Sequence, residues 1–143
     1  MDDRESLRRT RDRQAARLMW LAGLASIAGF LIVSPLLSLP ATLLCWATQR
    51  QNGPLATDAG IEALNWQLTY FALQIMLVPL HLALVTVQRA TGEAWPLLTI
   101  SALLLIGTVN LLVSIVYAIR AGRGKRTRLV LALPFIHHPS ETR

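Results

Sequence analysis

The fold class this sequence predicts is all-α: an integral membrane helical bundle of four membrane helices, with three as the alternative. Three observations predict it. Hydrophobic residues make up 53% of the 143 residues and charged ones only 15%, against about 25% charged in an ordinary soluble domain. The charge is also segregated, with six of the 14 Lys and Arg in residues 4–17, six in 120–143, and only Arg50 and Arg89 between. Finally, three uncharged apolar stretches, 18–49, 63–88 and 97–119, are each long enough to span a ~30 Å hydrocarbon core.

Residues 1–17 form a basic segment whose 4–17 portion contains no Gly or Pro and favours helix. Acids alternate there with arginines, which points to a solvated helix at the cytoplasmic end of the first membrane segment. The uncharged run 18–49 would be roughly 48 Å long as one helix, beyond the thickness of the core. Pro35 and Pro40 disfavour helical geometry in the residues before them. The run is therefore predicted as two short helices, 18–33 and 40–49, joined by a bend. Ala22, Ser26 and Gly29 would give the first a small face that another helix can approach. A cleaved signal peptide is not expected, because the preceding charged region is long and partly acidic.

Residues 50–62 read as a loop with a turn at Asn52-Gly53-Pro54, and Thr57 or Asp58 as the cap of the next helix. That helix covers 63–88, a short loop follows, and 97–119 forms the last span. The tail, 120–143, opens on a glycine-loosened basic turn. Its Arg120, Arg123, Lys125, Arg126 and Arg128 are expected to contact lipid headgroups. Residues 129–136 are too few to span as a helix and should lie at the interface or pack on the bundle.

Both termini are basic, so the positive-inside rule puts both in the cytoplasm of a multi-pass bacterial inner-membrane protein. The number of crossings is then even, with 18–49 supplying two as a short hairpin or none as a re-entrant loop. Trp20, Trp46, Trp66 and Trp95 lie near the ends of apolar segments, where indoles favour the headgroup level. Basic residues that flank apolar runs indicate anionic lipid as the partner and argue against nucleic acid. Other copies of the chain, or other membrane proteins, are the remaining expected partners.

Within the 63–88 helix, Gln67, Gln74, His81 and Gln88 recur every seven residues and drift only about 20° per step around the axis. Asn110 and Ser114 offer a matching polar face on the last span, with Gly107 and Tyr117 at helical spacing. Lipid provides no hydrogen-bond partners, so this seam should join helices. The alternative is a polar path for a proton or small solute, with His81 as its titratable group. Pro79 should kink the helix by freeing the Ile75 carbonyl.

No paired carboxylates, catalytic triad or phosphate-binding loop stand at convincing spacing, so no enzyme activity and no cofactor are expected. Cys45 is the single cysteine, which excludes an internal disulfide and a cysteine metal cluster. His137 and His138 are adjacent and diverge, a poor chelate, so no metal site is expected.

The stretch D-A-G-I-E-A-L-N-W-Q-L-T-Y, residues 58–70, resembles the signature of a bacterial family of integral membrane proteins of unknown function. That family has been grouped with the small four-helix subunit of the chloroplast inner-envelope import translocon. The likeness covers about 18–136 and includes the I-R-A-G-R-G turn and Pro134-Phe135-Ile136. Trp66 stands where phenylalanine is usual, and Leu129-Val130 where the family has Tyr-Pro. The resemblance implies a membrane protein with cytoplasmic termini, a translocon-like or assembly role, and Asp58, Gly60, Glu62, Asn65, Trp66 and Gln67 as motif residues. Glu62 and Asn65, with Thr69 a turn deeper, are expected to satisfy backbone groups of the proline-broken first segment.

Overall fold

A computed structural model describes residues 3–25, 30–126 and 128–136. Ser26, Gly29, His137 and His138 lie outside the described residues. Four α-helices and no strand occur among the described residues: α1 (Asp3–Ala22), α2 (Phe30–Gln49), α3 (Pro54–Thr91) and α4 (Trp95–Gly122). A 3-10 turn, Arg50–Asn52, links α2 to α3.

The break in the first apolar run is not at the prolines. α2 continues through both Pro35 and Pro40, and the chain leaves α1 at Ala22 into a 3-10 turn at 23–25. A proline costs one ladder hydrogen bond, which packing against neighbouring helices can offset. Gly23 is where close approach is needed. A Cβ there would stand 2.5 Å from Gln67 Nε2 and 2.8 Å from Ser114 Oγ.

α3 begins nine residues earlier than the sequence suggests, at Pro54 in place of residue 63. Pro54 suits a first-turn position, where its missing N–H is no loss. The cap comes from another helix, since the Asp12 carboxylate of α1 accepts from Ala56 N–H at 2.7 Å and Leu55 N–H at 3.3 Å. Thr57 and Asp58, the expected caps, already lie inside the helix. Gly53 (φ 157°) turns the chain against Asp12, and a Cβ there would overlap its carboxylate. At the far end Gly92 (φ 75°) closes α3 with its N–H on the Gln88 carbonyl at 2.8 Å.

α1 and α3 run in the same direction, with Asp12 beside Leu55 and Gly23 beside Gln67. α4 runs antiparallel to both, placing Gly122 beside Arg17 and Ser114 beside Gly23. Trp46, near the end of α2, packs on Gly60 and next to Met19. Small residues permit these approaches: Ala16, Ala59, Ala63, Ala118 and Ala121 surround Trp20, Trp66 and Leu129. The expected solvated basic helix is thus one face of a docked helix, with Ala15, Ala16, Met19 and Trp20 buried. Trp20 and Trp66 are interior, whereas Trp95 is exposed at the start of α4.

Outside this end, polarity is inverted relative to a water-soluble protein. Met76 (72% exposed), Leu105 (64%), Leu98, Leu112, Ile75 and Leu82 face outward, while Ser38, Thr42, Gln67, Gln74, Asn110 and Ser114 are buried. Soluble monomers rarely expose apolar patches beyond a few hundred Å². α3 has 38 residues and α4 has 28, or about 57 and 42 Å of helix. Both are long and apolar enough to cross a membrane.

Candidate functional site

The polar side chains of α3 sort into three tiers, each with a different partner. In the lowest, Glu62, Asn65 and Thr69 share one face by their spacing of three and four. They hold the backbone of the C-terminal segment. Leu129 N–H donates to Glu62 Oε2 at 3.2 Å and Leu133 N–H to Thr69 Oγ1 at 2.9 Å. Asn65 grips Ile136 from both sides, accepting from its N–H at 2.7 Å and donating to its carbonyl at 3.0 Å. The segment reaches a turn deeper at Leu133 and returns to Asn65 at Ile136.

The expected partner of these residues was the proline-broken first segment; the observed partner is the tail. The reason is that α2 keeps its helix, whereas 129–136 forms turns and bends whose N–H groups need acceptors. Leu129 is buried in the core cluster, so this segment packs on the bundle.

The middle tier joins α3 to α4 and α1. Asn110 Oδ1 accepts from Trp66 Nε1 at 2.8 Å and from Gln67 Nε2 at 3.3 Å. Gly23, in the turn that follows α1, fits between Gln67 and Ser114, so the end of α1 meets α3 and α4 at one buried polar point. The indole N–H of Trp66 supplies a donor that the phenylalanine usual at this place would lack.

The upper tier is thinner. Gln74 donates to Tyr70 Oη at 3.2 Å, within its own helix. His81 Nδ1 lies 2.8 Å from Thr99 Oγ1 on α4. Thr99 Oγ1 also lies 3.1 Å from the Pro96 carbonyl, within its own helix. Gln88 is exposed and takes no part. The seven-residue seam therefore bridges helices at Gln67 and His81 but not at Gln74 or Gln88. A straight helix drifts with each repeat, so positions seven apart do not all stay turned toward the neighbouring helices.

The other motif residues are structural in placement. Gly60 lies against Trp46 and Met19, and a Cβ there would overlap both. Asp58 pairs with Arg126 at 3.7 Å, a contact open to solvent and worth little on its own. Arg120 lies over the Tyr117 ring, 5.4 Å from its centroid. Tyr117 stacks on Trp20 at 4.8 Å and donates to the Arg128 carbonyl at 3.2 Å. Arg120, Arg123, Lys125, Arg126 and Arg128 are all exposed at this end. Among the described residues no three His, Cys, Asp or Glu side chains gather as metal ligands.

Sequence reasoning missed Asp12, Thr99 and Gly23. Asp12 had a visible signal, an acid on a helix otherwise rich in arginine beside a Gly-Pro helix start. Gly23 and Thr99 had none, since nothing local marks a partner three helices or eighteen residues away.

The fold and this interior define a small all-helical bundle with buried polar contacts, an apolar outer face and two helices able to cross a membrane. The chain belongs to the MamF/MmsF family, the magnetosome magnetite crystal formation protein family, whose model matches residues 11–136. No curated protein and no solved structure matches it. The family is implicated in magnetite crystal formation, and its match gives no support to kinship with the import translocon.

Proposed function

We propose that this chain is a multi-pass protein of the magnetosome membrane that serves magnetite formation as a structural or assembly component, without catalysis of its own. The observation that carries this reading is the use of the polar residues. Trp66 and Gln67 both donate to Asn110, and Glu62, Asn65 and Thr69 bind the backbone of the tail. Such a network fixes helix positions and the course of the tail. Lipid would cover the exposed apolar faces of α2, α3 and α4.

In this reading α3 and α4 cross the membrane as a hairpin, while α1 with α2 forms a second, shorter hairpin that enters and leaves on the same side, which keeps both termini cytoplasmic. Pro79 and the excess length of α3 suit a helix that tilts or extends beyond the bilayer. A translocon-like variant draws no support from the family match.

The test is replacement of the chain by Asn110→Leu in a magnetite-forming cell that carries it. Crystal size and number by electron microscopy should change while the protein remains in the membrane fraction. Unchanged crystals in cells that lack the chain altogether would refute the assignment. The conduction reading rests on His81 and is tested separately below.

A further inference from the structure

At the end of the bundle where α1 meets the last turn of α4 there is a cavity of about 250 Å³, lined by Thr10, Arg13, Gln14, Arg17 and Gly122. We propose that this groove is a binding site for a phosphate-type anion, held by the guanidinium groups of Arg13 and Arg17. The inference does not depend on the functional reading above.

Spacing builds the groove. Residues 10, 13, 14 and 17 fall on one face of α1, at offsets of three, four and seven. Glu5 and Asp12 fall on the opposite side, where Asp12 caps α3. The facing wall is the turn after α4. A Cβ at Gly122 would meet Arg17 Cδ at 3.3 Å, and one at Gly124 (φ 72°) would meet Arg13 Nε at 2.8 Å. Two glycines thus let both arginine stems lie flat on the backbone. The volume is several times the ~30 Å³ of one water, enough for a tetrahedral oxyanion.

Among the described residues, the acids near the groove are engaged elsewhere. Glu5 pairs with Arg9, Asp58 with Arg126, Asp12 with the α3 N-terminus, and Glu62 accepts from Leu129 N–H. Arg13 and Arg17 make no hydrogen bond or ion pair with any described residue. They are not needed as caps for α4 either. The Ile119, Arg120 and Ala121 carbonyls already accept from the N–H groups of Arg123, Lys125 and Gly124, at 2.9–3.1 Å. Arginine forks match tetrahedral oxyanions, and stems held by the turn lose little freedom on binding. Thr10 and Gln14 supply neutral polar groups in the same groove.

A free phosphate and the phosphodiester of an anionic lipid offer the same chemistry, and calorimetry on the full chain in a neutral detergent separates them. One arm titrates inorganic phosphate, the other a short-chain phosphatidylglycerol. Saturable binding of about one equivalent is expected in at least one arm, and the arm that responds identifies the source. Arg13→Gln with Arg17→Gln should weaken it by about tenfold or more, since charge-assisted bonds are lost. Arg8→Gln with Arg11→Gln removes the same charge from outside the groove and should change affinity less than about threefold. Circular dichroism checks that both variants keep the parent helicity, and Arg13→Lys with Arg17→Lys, which keeps the charge, replaces the glutamine pair if it unfolds. The proposal is overturned by no saturable binding in either arm, by an unchanged groove variant, or by equal losses in both pairs.

Discussion

The Trp66–Asn110 bond is the strongest single link of the middle tier, and a double-mutant cycle measures it. Trp66→Phe removes the indole N–H and keeps an aromatic ring in the core. Asn110→Leu removes the acceptor and keeps the volume roughly. From the geometry, Asn110→Leu breaks one good bond at 2.8 Å and one long one at 3.3 Å. Each leaves a buried donor without that acceptor, and such bonds inside membrane bundles measure about 0.6–1.7 kcal/mol. The expected loss is therefore about 1–3 kcal/mol for Asn110→Leu. For Trp66→Phe it is about 1 kcal/mol from the bond, plus whatever the smaller ring forfeits in packing. The cycle cancels the packing terms and should return a coupling near 1 kcal/mol. Reversible unfolding in mixed detergent micelles is the assay. A coupling within about 0.3 kcal/mol of zero would refute the claim that this bond holds the helices together.

Three other outcomes follow from the same geometry. Asp12→Ala should cost about 0.5–2 kcal/mol by uncapping α3, while Asp12→Asn, which keeps an acceptor, should cost less; equal losses in thermal melts would contradict the cap. Asn65→Ala releases both bonds to Ile136, so hydrogen exchange over 129–136 should speed up by about five- to 150-fold, as expected for 1–3 kcal/mol, with α4 unchanged. His81→Ala, in a liposome flux assay for protons and small solutes, should leave leakage at the level of the parent. Flux that depends on His81 would overturn the structural reading of the seam.

The distribution of apolar and charged residues made the helical class, and the two long apolar helices, legible without coordinates. Periodicity at seven also identified Gln67 and Asn110 as residues that meet across helices. Three things were hidden. Helix ends set by a distant side chain, such as Asp12 on α3, leave no mark in the local sequence. Proline penalties are local and negative, whereas the packing that carries α2 through Pro35 and Pro40 is long-range. The tail was expected at the interface or packed on the bundle, yet nothing local showed that its N–H groups are what Glu62, Asn65 and Thr69 bind. The 58–70 motif was thus noticed correctly as a unit and matched to the wrong partner.

The central claim is that lipid is the solvent of this fold's outer surface. Single cysteines test it most directly, on a Cys45→Ser background in sealed membranes with a membrane-impermeant maleimide. Met76 and Leu105 are 72% and 64% exposed, so Met76→Cys and Leu105→Cys would react readily if water surrounded them. The account predicts that both stay unlabelled until detergent is added, while Lys125→Cys in the exposed basic turn labels from the cytoplasmic side. Labelling of Met76→Cys and Leu105→Cys in intact membranes, as fast as Lys125→Cys, would contradict it.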